Sequence, residues 1–155
     1  MAVRQIVTIG DDVLRKKAKP VQVFDDKLKA VVADMFDTLY ASGNGIGLAA
    51  PQVGLLKRIF VIDLGDGDAP RAYINPEWLE QKGEQFFEEG CLSVPNEHAL
   101  VARPAYVKIR AQDVDGTFFE EEATGLRAVC MCHETDHLDG ILFPDRAKAL
   151  QERQS

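Results

Sequence analysis

No stretch of this chain approaches the roughly 18–20 consecutive apolar residues needed to span a bilayer. The opening residues Met1 to Gln5 also lack the apolar core of an export signal. A cytoplasmic protein is the expectation. Cysteines are few: three among 155 residues, an odd number that does not suggest a disulfide framework. Basic residues never run beyond Arg15-Lys16-Lys17, and the net charge is -7. That balance argues against nucleic acid or an anionic membrane as a main ligand. Repeats and low-complexity segments are missing as well. Histidine is also scarce, three in all, and scarcity gives two of them their weight.

Those two frame the stretch His133-Glu134-Thr135-Asp136-His137. Residues four apart lie on one helical face, so both imidazoles can grip one divalent metal. Glu134 between them is then free to handle the proton of a water activated there. The length suits one domain over residues 1–155, with a core of fair size.

Taken in order, residues 3–9 read as a short strand or an extended arm, and Gly10-Asp11-Asp12 introduces a turn of helix that Pro20 stops. From Asp25 the apolar residues Leu28, Val31, Val32, Met35, Phe36, Leu39 and Tyr40 form one stripe at helical spacing. Asp25 is a good N-cap and Gly43 a good stop. The stretch Gly43 to Gly54 is rich in glycine but lacks the Gly-Lys-Ser/Thr of a phosphate loop. Its small residues allow another backbone to come close, and Gln52 directly after Pro51 is an odd choice for a spacer.

Arg58 to Asp63 reads as a strand, followed by a polar loop to Pro70 that lacks a calcium-loop ligand pattern. Ala72 to Ile74 reads as a short strand that Asn75-Pro76 breaks, with further strand-like segments across 77–88. Glu89 to Pro95 is punctuated by glycine and proline, so it is irregular or a strand end. Ala105 to Val114 alternates, and Asp115-Gly116 is the strongest hairpin signal in the chain. Thr124 is expected to cap the last long helix, which Gly140 ends. Residues 144–155 read as a short polar tail with at most one helical turn. The order helix, antiparallel strands, helix argues α+β, with the metal helix laid against the sheets.

Two histidines leave a catalytic metal one protein ligand short. Metzincin proteases place a third histidine where this chain has Phe143, and the glutamate of gluzincins would have to come from the short tail. Cys130 lies seven residues from His137, about 10 Å along a helix axis. Bonds of roughly 2.0–2.3 Å cannot reach both, so Cys130 is a wall residue rather than a ligand. Cys132 faces away from both histidines. Elimination favours Cys91, with His98 as the weaker alternative.

Three segments together resemble the signature motifs of the peptide deformylase family. They are Gly45 to Gln52, Glu89-Gly90-Cys91-Leu92-Ser93, and His133 to His137, in family order. The resemblance covers nearly the whole chain, from the Arg15–Pro20 segment to Phe143. It implies an α+β fold with antiparallel sheets packed around a central metal-binding helix, and one catalytic domain over residues 1–155. It implies a metal held by Cys91, His133 and His137, generally ferrous iron, with zinc, nickel or cobalt able to take its place. The implied reaction removes the N-formyl group from the initiator formyl-methionine of a nascent polypeptide and releases formate. The roles it implies are Glu134 as the proton-transferring group, and the Gln52 amide with the Leu92 backbone N–H as donors to the oxyanion. Gly45, Ile46 and Gly47 would pair with the peptide backbone, while Ile46, Leu92, Val129, Cys130 and the His133 ring would line the methionine pocket.

Departures are visible. Cys132 stands where members often carry glutamine, and His98 where bacterial members have a substrate-facing arginine. Arg103 matches an arginine that pairs with the motif glutamate, here Glu89. The tail is too short for the long terminal helix of some members, so transient ribosome association finds little support through that route.

Overall fold

The computed structural model describes residues 2–154. Its strands are β1 (Gly47–Ala49), β2 (Ile59–Ile62), β3 (Arg71–Lys82), β4 (Gln85–Cys91), β5 (Val94–Arg103), β6 (Tyr106–Gln112) and β7 (Phe118–Thr124). Its helices are α1 (Asp26–Ala41), α2 (Gly125–Leu138) and α3 (Phe143–Gln154). The fold is α+β. A five-stranded antiparallel sheet runs in the order β1-β2-β3-β6-β7, and β4 pairs with β5 in a separate two-stranded sheet.

The helix α1 forms as its sequence dictates. Asp25 adopts an extended backbone and accepts from the Leu28 N–H at 3.1 Å, which satisfies a donor that the first turn leaves without a partner. The apolar stripe buries Leu28, Val32, Met35 and Leu39 against Leu48, Ile59, Val61 and Ile74. The neighbours in β2, Phe60 and Ile62, point the other way and pack with Met131 and Leu138 of α2. Alternation along one strand therefore lays α1 on one face of the sheet and α2 on the other.

The helix α2 is buried all round: every residue from Ala128 to Leu138 is inside. Five of those positions, His133 to His137, are polar. A buried polar run needs partners, which makes this helix the informative element. Thr124 stands at its N-cap position, but contrary to expectation its side chain makes no capping hydrogen bond. The helix opens instead through Gly125 at a φ of +58°. At the far end Gly140, at a φ of +75°, leaves room for the Arg15 carbonyl, which a Cβ would meet at 2.5 Å.

Two expectations are corrected. Asn75-Pro76 does not break the strand: β3 continues to Lys82 through a register shift between Ile74 and Glu77. Asn75 takes a φ of 52°, and its side chain bonds both the N–H and the carbonyl of Val21. Proline, which cannot donate, is tolerated at such a bulge. The tail is not a short polar turn either. Residues 143–154 form α3, because Phe143, Ala147 and Leu150 fall on one face and are buried. Phe143 and Ala147 pack with Leu14, Val94, Val101 and Leu142, and the Asp145 carboxylate accepts from the Leu142 N–H at 3.0 Å.

The residues from 3 to 9 are an extended arm rather than a strand. Val7 N–H donates to the Gln52 carbonyl at 2.8 Å and Ile9 N–H to the Ser93 carbonyl at 2.7 Å. No described helix is long and apolar enough to cross a membrane.

Candidate metal centre and active site

One turn of α2 separates His133 from His137, and the end of β4 delivers Cys91 to the same point. The chain reverses between Cys91 and Val94, which face each other across the β4–β5 hairpin, so the sulfur sits at a turn that can reach toward α2. The two imidazole Nε2 atoms are 3.2 Å apart, and Cys91 Sγ lies 3.4 Å from His137 Nε2. All three donor atoms fall within 4.8 Å of one another. Bonds of about 2.0–2.3 Å to one tetrahedral ion produce donor separations of about 3.4–3.5 Å. The donor set therefore fits a single metal, as expected from the sequence. His98 is outside this set. Its ring covers Gly90, where an added Cβ would meet it at 2.8 Å.

The back of His133 is fixed by charge. Its Nδ1 lies 2.8 Å from Glu89 Oε1. A carboxylate only accepts, so Nδ1 carries a proton and Nε2 is turned toward the other donors. Arg103 holds Glu89 by two further bonds of 2.8 Å. Burial alone would raise the Glu89 carboxyl, but the Arg103 and His133 bonds outweigh it and hold the group down at about 2. Burial also works against a charged His133, yet its bonds to Cys91 and Glu89 raise it to about 10. His137 differs. Burial, with the His133 and Arg103 charges, keeps it well below the usual range and so neutral. Its Nδ1 is buried with no hydrogen-bond partner among the described residues.

Glu134 borders the same cavity of about 520 Å³ as Cys91, Gln52, Ile46 and Val129. Burial first, then the Glu89 charge, push its carboxyl up to about 7 against the pull of His133 and Arg103. Its Oε1 is buried without a hydrogen-bond partner among the described residues. Gly47 makes room for it: a Cβ there would come within 2.7 Å of Glu134 Oε2 and 2.8 Å of Cys130 Sγ.

Gln52 is held at both ends. Its Oε1 accepts from the Ala49 N–H at 2.9 Å, so Nε2 points inward, 3.1 Å from Ser93 Oγ and 3.6 Å from Cys91 Sγ. Gly45, Ile46, Gly47, Leu92, Val129, Cys130 and His133 all line the cavity, whereas His137 does not line it but holds its Nε2 3.2 Å from that of His133, and Arg103 and Cys132 lie outside the lining. Cys130 is buried and its thiol is pushed well above its usual range by burial and the Glu134 charge, which suits a wall and not a ligand.

Comparison with known proteins agrees. The polypeptide deformylase family model matches residues 3–153. The chain belongs to that family. It is 50% identical over 145 residues to peptide deformylase 1 of Clostridium perfringens, covering 94% of this chain and 98% of the relative. A peptide deformylase of Acetivibrio thermocellus is 53% identical over 146 residues, covering 94% and 84%. Among solved structures, a peptide deformylase from Legionella pneumophila superposes with a TM-score of 0.92 at 45% identity, covering 99% of this chain and 90% of that one. Another, from Synechococcus elongatus in complex with actinonin, gives 0.87 at 39%, covering 96% and 85%. As a deformylase the chain is a metal-dependent hydrolase that removes formyl groups from nascent peptides.

Three contributors escaped the sequence reading. Ser93, fully buried, takes the Gln52 amide and donates its N–H toward Cys91 Sγ at 3.4 Å. Asp136 and Arg146 extend the charge cluster behind His133. A serine two residues after Cys91 was the one available hint. Nothing in spacing links Arg103 or Arg146 to Asp136.

Proposed function

We propose that the deformylase reaction runs at the floor of this cavity, with Cys91, His133 and His137 as metal ligands and Glu134 as the proton-transferring group. The convergence of those three donor atoms beside Glu134 carries the reading. When bound, the ion supplies Lewis acidity, making a water nucleophilic near neutral pH. Glu134 Oε takes the proton of the attacking water and returns it to the departing amine nitrogen. An acid pushed up to about 7 can do both. The Gln52 Nε2–H and the Leu92 backbone N–H donate to the oxygen of the formyl group as charge builds on it. Because Ala49 and Ser93 hold Gln52 in place, that donor needs no reorganisation during the reaction.

The substrate is a chain end of formyl-methionine. Strand β1 is an edge of the five-stranded sheet, so Gly45, Ile46 and Gly47 offer backbone for an added peptide strand. Ile46, Leu92, Val129, Cys130 and the His133 ring form an apolar slot for the methionine side chain. Residues 1–155 act as one catalytic domain in the cytoplasm, meeting nascent peptides in transient contact with the ribosome and binding neither nucleic acid nor membrane directly. The physiological metal is ferrous iron; a thiolate with two imidazoles also accepts zinc, nickel or cobalt.

The test uses protein purified without oxygen, with its metal content measured. Formate release is followed from formyl-Met-Ala-Ser, with deacetylation of acetyl-Met-Ala-Ser as the comparison. Turnover of the formyl peptide alone is the expected result; equal turnover of both, or of neither, overturns the reading.

A further inference from the structure

The ion pairs behind His133 do not stop at Arg103. Asp136 Oδ2 accepts from Arg103 Nη1 at 2.6 Å and from Arg146 Nε at 3.0 Å, and its Oδ1 accepts from Arg146 Nη2 at 2.9 Å. A continuous series therefore runs from α3 to the imidazole: Arg146, Asp136, Arg103, Glu89, His133. Arg103 and Glu89 are almost fully buried, while the Arg146 side chain is 45% exposed. Two carboxylates share one buried guanidinium at the centre. Glu89 takes the Nε and Nη2 donors of Arg103 and stays aligned on His133 Nδ1, while Asp136 holds the remaining nitrogen, Nη1, and so fixes the plane of the guanidinium. Arg146 in turn holds Asp136 by a two-point fork, which keeps it placed against Arg103. We propose that Arg146, on the C-terminal helix, is a positioning residue for His133, setting the imidazole's aim at the metal through Asp136, Arg103 and Glu89. The inference rests on His133 being a metal ligand.

Its consequence is a metal affinity that depends on a side chain of α3. Partners behind a ligand histidine typically change metal affinity by about 10–100-fold, and a residue acting through three intermediaries should change it less, about three- to tenfold. The experiment uses the zinc-loaded protein. Zinc affinity is measured by chelator competition, and the His133 Nδ1–H proton is followed by NMR after ¹⁵N-histidine labelling. Arg146→Met should raise the zinc dissociation constant about three- to tenfold and speed exchange of that proton with solvent. Arg146→Lys, which keeps the charge without the fork, should fall between Met and the parent. Arg153→Met, which breaks the α3 pair with Glu84, should leave both readouts at parent values. Parent values in Arg146→Met overturn the proposal, as do equal shifts in Arg153→Met. If Arg146→Met does not fold, parent values in Arg146→Lys overturn it instead. His133→Ala separates the two layers: zinc retained there removes the ligand assignment itself, whereas zinc lost there with Arg146→Met unaffected removes only the relay.

Discussion

The two walls of the active site are held by different forces. The wall carrying His133, Glu134 and His137 is α2, a helix buried all round and pressed on Phe60, Ile62 and Tyr73 of the five-stranded sheet. The wall carrying Cys91 is a two-stranded hairpin with Phe86, Phe87 and Leu100 exposed. Two strands alone are marginal in water. The hairpin keeps its place through α3 on one side and the Glu89–Arg103–Asp136 cluster on the other. A metal site strung between them would have one ligand pair fixed by apolar packing and a third ligand fixed by packing on α3 and by charge together. Chemistry and stability should therefore respond separately to changes on the two walls.

The largest separation should come from Glu134→Gln on the helical wall. Turnover is expected to fall about 10²–10⁴-fold with metal content and melting temperature near the parent's, checked by formate release beside metal analysis. Loss of the metal would show that Glu134 also holds the wall together. Arg103→Met attacks the other wall. Leaving Glu89 and Asp136 without their buried partner should cost about 3–5 kcal/mol in denaturant unfolding. An unchanged midpoint would mean the hairpin does not lean on charge. Gln52→Leu touches the seam between the walls. It should lower turnover about 10²–10³-fold and keep the metal; normal turnover refutes the donor role. Met131→Ala opens a hole beneath α2 and should cost about 2–5 kcal/mol, with kcat of the folded fraction retained.

The smallest effect concerns a charged joint where α2 meets the five-stranded sheet. Glu121 accepts from Arg127 and Arg71 at 2.6 Å each and from Tyr73 Oη at 2.8 Å. Burial opposes the charge, but those bonds hold its carboxyl below the ordinary value of 4.5. A group depressed in the folded state stabilises fully above its unfolded value, and that contribution is lost as pH falls through the folded one. The stability gap between parent and Glu121→Gln should thus be constant near neutrality and close as the solution is acidified below 4.5. Urea midpoints across that range test it, and a gap that widened in acid would reverse the assignment.

Much of this was legible because it is local. A stripe at helical spacing and a capping aspartate identify α1, Asp115-Gly116 turns the last hairpin, and the spacing of His133 and His137 declares a metal. Cys91 could be reached by elimination because helical rise rules out Cys130. What stayed hidden depends on distant partners. The charged helix α3 has only Phe143, Ala147 and Leu150 to bury, so packing makes it a helix where its own pattern is weak. Asn75 keeps β3 continuous only because Val21 arrives to bond it. Ser93, Asp136 and Arg146 are unremarkable as residue types, and their roles arise from where β5 and α3 come to lie.

The arm that runs to Ile9 has a consequence for the order in which the protein matures. Its two backbone bonds tie Val7 to Gln52 on one wall and Ile9 to Ser93 on the other. During synthesis Val7 and Ile9 are made well before the residues they bond. Closure of the seam is therefore a non-local event, complete only once the turn that carries Ser93 has folded back onto the arm.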